Sequence, residues 1–406
     1  MDALIAASAQ ALATGDPLAA LNWVALRGDA AALALRGIAM AQLGDFPRAK
    51  DLLRRAARAF GPHDPVSRAR CVVAEAEIAL VSHDPGQPRQ ALKSARATLE
   101  ACGDRANAAH AGYLEARQLL LIGELDAAER LLDGLDAAAL PPASRAGHDL
   151  VVAGIAMRRI RTKPARTALD RATRAAHEAG IPALLAEVDR ASRAFEAPAA
   201  RLIARGNERL LRLEEVEALL ASNALIVDAC RHVVRAGPNM VPLADRPVLF
   251  ALVRALAEAW PGDVPRETLL ARAFRARHAD ESHRARLRVE IGRLRKLLEP
   301  LADLNATKRG FVLTPNGAET VAVMVPPVEG DHAEVLALLA DGEPWSSSAL
   351  ATALGVSPRT AQRALEDLGA IGKVDSFGRG RACRWIAPNV PGFPTSLLLP
   401  APLPKN

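Results

Sequence analysis

Arg286, Val289, Arg293 and Lys296 stand at helical spacing within DESHRARLRVEIGRLRK, the stretch from Asp280 to Lys296. At roughly 100° per residue they share one face, while Leu287, Ile291, Leu294 and Leu298 form an apolar stripe on the other. A guanidinium is a planar fork of donors that matches guanine O6 and N7 or a phosphate, and an ammonium is a compact partner for a phosphate. A helix with a dry back and such a front has the shape needed to lie in a DNA groove. Arg288 and Arg295 flank the apolar stripe, where their stems run along the protein and their heads reach outward. The plainer reading of a charged face is a solvated surface, so the surroundings decide.

A second set lies in VSPRTAQRALEDLGAIGKV, residues 356–374. Ser357 suits an N-cap and Pro358 the first helical position. Ala361, Ala364, Leu365 and Leu368 then form a buried stripe that leaves Arg359, Gln362, Arg363 and Glu366 outward. Arg binds guanine and Gln binds adenine in bidentate fashion, each good pair giving roughly 1–3 kcal/mol of discrimination. Two loop tips, Lys308-Arg309-Gly310 and Gly378-Arg379-Gly380-Arg381, add Arg309, Arg379 and Arg381, which suit phosphates or a minor groove.

Other chemistries find less. His278 and His283 bracket Ala279-Asp280-Glu281, but two imidazoles at loop spacing favour capping or solvation over a metal site. His63, His83 and His110 have no matched carboxylate or serine pattern. GxxxxGK[ST] is absent, and no Ser-His-Asp or paired-carboxylate constellation stands out. Neither an enzyme nor a cofactor nor a metal is expected. Trp260, Trp345 and Trp385 fall at element ends and are expected in the core, each with its indole N–H reaching a partner.

The elements that must carry these residues are mostly helical. The chain has 406 residues, of which 50% are hydrophobic and only 3% aromatic. Ala, Leu and Arg dominate, and these have the best helix propensities. Two to four domains is the reasonable expectation for this length. The net charge of +6 and the pI near 9.5 permit a polyanionic partner. Cys71, Cys102, Cys230 and Cys383 are far apart with no CxxC pair, which fits a reducing cytoplasm. The opening MDALIAASAQALATGD does not read as a signal peptide, and no segment reaches 18 uncharged apolar residues, so no membrane span is expected.

Residues 1 to about 220 read as helical hairpins separated by breakers such as Gly15-Asp16-Pro17, Gly44-Asp45-Phe46-Pro47 and Gly123-Glu124. Second helices are placed near Pro47, Pro88, Asp126 and Pro164, which are 41, 38 and 38 residues apart. AALALRGIAMAQLGDFPRAKDLLRRAARAF (31–60) resembles a tetratricopeptide-type hairpin, and LEARQLLLIGELDAAERLLDGL (114–135) repeats its plan. Repeats of this kind bury their apolar faces by stacking, and they bind proteins or peptides or build dimers.

From about 222 the pattern shortens. ALIVDACRHVVRAG (224–237) reads as strands, and NMVPLADRPVLFALVRALAEAW (239–260) passes from a strand into a helix capped by Asp245 and ended by Pro261-Gly262. PRETLLARAF (265–274) reads as a helix with Pro265 at its first position, followed by the Arg-rich helix and the hairpin LNATKRGFVLTP (304–315). Over about 222–315 this order resembles the OmpR/PhoB-type winged helix, through PRETLLARAF, RLRVEIGRLRKLL and TKRGFVL. The resemblance implies that the third helix enters the major groove and the wing touches backbone or minor groove. By position in that family, Arg286, Val289, Glu290 and Arg293 would face bases, while Arg295, Lys296 and Arg309 would face phosphates. No phosphoacceptor receiver precedes this module in the chain, so control by aspartyl phosphorylation is not expected. The pairing with helical repeats resembles antibiotic-regulator and virulence-activator proteins, with the order of the modules reversed.

HAEVLALLADGEPW (332–345), SSSALATALG (346–355) and the 356–374 stretch read as three helices with a tight Leu354-Gly355-Val356 turn, and KVDSFGRGRACRWIAP (373–388) reads as a hairpin. This resembles the winged helix-turn-helix of many bacterial regulators over about 331–388. The contact set implied for DNA also takes in Lys308, Ser357 and Thr360. The tail from Pro388 onward holds six prolines, reads as extended, and carries Leu397-Leu398-Leu399, a run apolar enough to dock on the same chain or a partner.

The expected fold is mainly α: a tetratricopeptide-like helical-repeat solenoid at 1–220, then two winged-helix α+β domains at 222–325 and 331–388, then a Pro-rich extended tail at 389–406. The expected function is a sequence-specific DNA-binding transcription regulator in the cytoplasm, associated with the nucleoid. Double-stranded DNA is its partner, and the repeats serve sensing, dimerisation into a homodimer, or binding of a protein, peptide or small-molecule effector. The alternative is an interaction scaffold whose winged helices bind protein rather than DNA.

Overall fold

Aspartate opens helix after helix in the first part of the chain. Asp2, Asp16, Asp29, Asp45, Asp64 and Asp104 each accept a backbone N–H from the first turn that follows. Each such cap is worth about 1 kcal/mol against alanine, and together they set the start points of a helical array. The computed structural model describes residues 2–81, 89–137, 140–274, 281–327, 330, 332–339, 344–377, 380 and 383–387. These pack into two units, one drawn from 1–194, 342–349 and 374–406, the other from 195–341 and 350–373. The stretch 331–388, expected as one module, is therefore divided between them.

The first unit holds α1 (Ala3–Ala13), α2 (Pro17–Val24), α3 (Ala30–Gln42), α4 (Phe46–Phe60), α5 (Pro65–Val81), α6 (Arg89–Ala101), α7 (Arg105–Leu121), α8 (Leu125–Asp133), α9 (Pro142–Arg158), α10 (Thr162–Ala179) and α11 (Pro182–Glu196). From α1 to α10 each helix packs on the next, and α3, α5, α7 and α9 also pack on one another in turn. The second helices of the pairs start at Phe46, Arg89, Leu125 and Thr162, each within two residues of its expected place. Close approach is built into the first helices. A Cβ on Gly37 would lie 2.9 Å from Leu53 Cγ, and one on Gly112 would lie 2.6 Å from Leu135 Cδ2. Ion pairs tie one hairpin to the next, Arg70 with Asp104 at 2.7 Å and Arg159 with Asp126, while Arg145 and Glu178, at 2.5 Å, join the two helices of one hairpin.

The second unit opens with strands where helix was expected. β1 (Pro198–Ala204) and β2 (Asn207–Arg212) form an antiparallel hairpin, followed by α12 (Leu213–Ala221). This corrects the reading of 1–220 as helical throughout. Arg205 and Gly206 both take positive φ, 49° and 76°, the geometry that suits a two-residue hairpin turn. The Arg, Leu and Glu of this stretch favour a helix in isolation, and strand pairing overrides that preference. The partner is β9 (Val321–Val325), whose five residues VAVMV are all buried.

β3 (Leu225–Asp228), β4 (Val233–Ala236) and β5 (Asn239–Pro242) complete a six-stranded sheet in the order β2-β1-β9-β3-β4-β5, with β9 parallel to β3 and antiparallel to β1. α13 (Pro247–Ala259), β6 (Val264–Pro265), α14 (Arg266–Phe274), α15 (Glu281–Leu298), β7 (Ala302–Ala306) and β8 (Gly310–Pro315) follow. β6, β8 and β7 make a three-stranded sheet. One core joins Leu225 and Val227 of the large sheet to Leu252 and Leu256 of α13, Leu269 of α14 and Leu294 of α15.

Two boundaries shift from expectation. α13 is preceded by Arg246, which makes no side-chain cap; Asp245 lies one residue too far upstream because Pro247 already holds the first helical position. Pro265 is paired in β6 opposite Gly310, so α14 begins one residue later, at Arg266.

α16 (Ala333–Leu339), α17 (Ser347–Leu354) and α18 (Pro358–Ala370) come next. α16 packs on α18, and His332 Nε2 lies 3.1 Å from Asp367 Oδ2. Gly355, at φ +67°, makes the turn between α17 and α18, where the Val356 N–H donates to the Ala351 carbonyl at 3.0 Å. A Cβ on Gly355 would stand 3.2 Å from the carbonyl oxygen of Arg231, in the β3–β4 connection of the same unit.

β10 (Asp375–Phe377) and β11 (Arg384–Ile386) pair antiparallel and belong to the first unit. There Trp345 and Trp385 exchange two backbone hydrogen bonds of 2.9 Å, and the Arg158 guanidinium lies 3.8 Å from the Trp345 ring centroid. Both indoles are buried, but Trp385 Nε1 has no hydrogen-bond partner, contrary to the expectation for it; Trp260 is only half-buried. No described helix is long and apolar enough to cross a membrane.

Candidate nucleic-acid interface

α15 is held by its back. Leu287, Ile291, Leu294 and Leu298 are all buried in the core, and Arg286, Val289, Arg293 and Lys296 are exposed. Val289 is 54% exposed among these cations, the one apolar side chain of the outward set. The Arg286 guanidinium stands 4.8 Å from the Phe274 ring centroid, a cation–π contact that orients its head. Glu290 is half-buried and holds Arg293 at 3.0 Å, so these two residues present one paired group and not two independent readers.

Arg295 departs from its expected role. Its Nε and Nη2 donate to the Leu304 carbonyl at 3.1 and 2.8 Å, fastening α15 to β7. Arg288 stays exposed, with Nε 3.5 Å from the Arg284 carbonyl. Between α15 and the start of α13 lies a groove of about 620 Å³, lined by Pro247, Val248 and Leu297 and rimmed by Arg246, Arg293 and Lys296.

The β7–β8 tip is braced. Lys308 and Arg309 are exposed, while Arg266 donates to the carbonyls of Thr307 and Lys308 at 3.1 Å each. Thr307 Oγ1 donates to Asp263 at 2.6 Å and accepts the Gly310 N–H at 2.9 Å. Gly310 is required here, because a Cβ would fall 1.7 Å from the Val264 carbonyl oxygen of β6. Sequence reasoning missed Arg266: it reads as an ordinary first-turn residue, and only folding brings it under the tip.

On α18 the Ser357 hydroxyl accepts the Thr360 N–H at 3.1 Å and shares a hydrogen bond with the Thr360 hydroxyl at 2.8 Å. Both residues of the expected contact set thus serve the cap. Ala361, Ala364, Leu365 and Leu368 are buried; Arg359 and Arg363 are exposed. Gln362 is half-buried and donates from Nε2 to Glu366 at 2.9 Å. Arg379 and Arg381 lie outside the described residues, as do His83, His278 and the tail from Pro388.

A second polar cluster was not expected. His110 of α7 places Nε2 3.0 Å from Glu77 of α5 and Nδ1 3.2 Å from the Ser144 hydroxyl of α9. This corrects the reading of His110 as having no matched carboxylate or serine. The chemistry is that of an oriented hydroxyl–imidazole–carboxylate chain, but all three side chains are buried, and Tyr113 packs beside the imidazole at 5.3 Å. It ties three successive first helices together. The signal in the sequence was the separation of these residues, 33 and 34 positions, near the spacing of successive first helices.

Two of the four thiols are suppressed. Burial, with Asp64 and Glu75 nearby, pushes Cys71 up to about 12, and burial beside Asp228 does the same to Cys230. Both stay protonated at neutral pH and are poor nucleophiles. Among the described residues no three His, Cys, Asp or Glu side chains gather as metal ligands. Comparisons with protein-family models, with curated proteins and with solved structures find no match for this chain.

Proposed function

We propose that the chain is a sequence-specific, DNA-binding transcription regulator that reads a duplex with α15 and α18, each the recognition helix of a winged-helix module. One observation carries this reading. α15 has its apolar stripe sunk in the core while Arg286, Val289, Arg293 and Lys296 face outward, beside a braced hairpin tip that exposes Lys308 and Arg309. A core-anchored helix with a cationic front meets the shape and charge of a major groove, and an adjacent basic tip suits phosphates. α18, in the same unit, likewise buries Ala361, Ala364, Leu365 and Leu368 and exposes Arg359 and Arg363.

The helices of the first unit act in this proposal as a tetratricopeptide-like stack that takes an effector or joins two copies into a homodimer. The protein then works in the cytoplasm, on the nucleoid. With roughly 6–10 phosphate contacts, affinity falls about 10³–10⁵-fold between 50 and 200 mM salt. Mobility shift and footprinting on genomic fragments, with Arg293→Ala and Arg363→Ala beside the parent chain, test the reading. A salt-sensitive footprint altered by each substitution supports it, and an unchanged footprint in both variants refutes it.

The scaffold reading is favoured by the groove beside α15, whose Pro247, Val248 and Leu297 lining suits an apolar side chain of an acidic protein segment. It requires binding to protein with no retardation of DNA.

A further inference from the structure

We infer that the groove between the first turn of α13 and the last turns of α15 is a binding site for a small amphipathic carboxylate, and that this occupant competes with DNA for Lys296. The groove holds about 620 Å³, within the roughly 300–1,000 Å³ of sites that enclose small molecules. Pro247 and Val248 of α13 and Leu297 of α15 line one hollow, with Arg246, Arg293 and Lys296 at its rim. Val248 and Leu297 pack on the core yet stay only half-buried, so the floor of the hollow is apolar and open.

Charge selects the sign of the occupant. The groove carries three cations and one carboxylate, Glu290, which holds Arg293 at 3.0 Å. Arg246 and Lys296 remain, both exposed and neither in an ion pair among the described residues. No side chain caps the first turn of α13, so the positive end of that helix adds to theirs. A cationic ligand is repelled here, and a neutral one leaves both cations unanswered.

Size selects the class. The lining comes from residues 246–249 and 290–297, so its length along α15 is about 10 Å at 1.5 Å per residue. A phosphate backbone would answer the rim and leave Val248 and Leu297 bare. A protein segment would fill so short a hollow with one or two side chains and would need about 800 Å² of contact on this side, most of it beyond the groove. A small carboxylate with an apolar body meets floor and rim within the hollow itself. Lys296 also belongs to the outward face of α15, so it answers one anion at a time. The competition rests on the regulator reading; the groove does not.

Isothermal titration of the full chain with decanoate, and a mobility shift on the same samples at matched ionic strength, provide the test. Decanoate is expected to bind with a Kd of about 1 mM or tighter. Decyltrimethylammonium, the same chain length with a cationic head, is expected not to bind. Arg246→Glu, at an exposed position outside the expected DNA contacts, should weaken decanoate at least ~10-fold. Val248→Thr, which keeps the shape of the floor and makes it polar, should weaken it at least ~3-fold. Arg359→Ala, on α18, should leave it unchanged. Decanoate at about ten times its Kd should weaken DNA binding by about 10-fold. No binding at ~5 mM overturns the inference, as does binding that both groove variants retain or that the cationic analogue matches. If an acidic peptide with leucines at helical spacing binds where decanoate does not, the groove belongs to protein and the inference fails. DNA binding that saturating decanoate leaves intact also overturns it. Decanoate binding by a chain that retards no DNA sinks the regulator reading and leaves the groove standing; retarded DNA without decanoate binding does the reverse.

Discussion

Arg295 and Leu304 are joined by two hydrogen bonds to one carbonyl, at 3.1 Å from Nε and 2.8 Å from Nη2. The pair fixes the last turn of α15 to β7, so the helix that presents Arg293 and Lys296 cannot rock on the small sheet without breaking it. Arg295, expected to face a phosphate, spends its guanidinium on a brace, and its neighbour Lys296 stays exposed.

Arg295→Ala and Lys296→Ala should therefore separate. The first is expected to cost about 1–3 kcal/mol of stability, since a part-buried carbonyl loses charged donors. The second is expected to leave stability within about 0.5 kcal/mol and to lower the salt slope of DNA binding by about 1. Urea unfolding and salt titrations measure both. Equal stability losses would contradict the assignment.

Gly310→Ala should damage the hairpin beyond what a surface turn tolerates. Its Cβ would overlap the Val264 carbonyl, so β8 must part from β6. A loss of at least about 3 kcal/mol in thermal or denaturant unfolding is expected, as for other substitutions that force backbone apart. Arg266→Ala should loosen only the tip, seen as faster amide exchange at Thr307–Gly310.

The buried Ser144–His110–Glu77 chain predicts loss of stability without loss of chemistry. Removing the imidazole takes a buried partner from both Glu77 and Ser144 and leaves a cavity, so His110→Ala is expected to cost about 3–5 kcal/mol. A serine-directed fluorophosphonate should leave Ser144 unlabelled in the folded chain and label it only after unfolding. Labelling of native protein would mean that the cluster is reachable.

Acid should weaken the first unit through Asp149. Burial alone would raise this carboxyl, but the His148 ring and two N–H donors of Arg171 outweigh it and hold it below its ordinary 3.8. A folded-state value below the unfolded one stabilises above the unfolded value, and that stability is lost as pH falls through the folded value. Unfolding titrations of the parent and of Asp149→Asn should therefore differ at pH 6 and converge below pH 4. A gap that persists in acid would exclude this origin.

How much of this was legible follows from what kind of signal each residue leaves. Periodicity gave α15 and α18 with their buried stripes, because a 3.6-residue repeat of Leu and Ile is local information. Ser357 announced its cap for the same reason. The β1–β2 hairpin was hidden, since RLIARGNERLLR has helix-favouring residues and becomes strand only by lying against β9, more than 100 residues later. The inward turns of Arg295 and Arg266 were hidden too. Guanidinium reach is long, and nothing in the local pattern says whether it ends in solvent or on a carbonyl. The helical array was legible in its helix starts, and His110 meets polar partners 33 and 34 positions away on the neighbouring first helices.

The seating of Gly355 against the Arg231 carbonyl has a consequence for any duplex this protein reads. It packs the turn before α18 on the β3–β4 connection of the six-stranded sheet, whose core α15 shares, and α15 and α18 belong to one unit. In the proposed regulator the two helices act as a ruler with a set length and a set twist. B-form DNA turns once in about 10.5 base pairs, so a single base pair inserted between two half-sites turns one by roughly 34° relative to the other. Binding should fall with each of the first few insertions, and a full added turn should not restore it, because the half-sites are then about 34 Å too far apart.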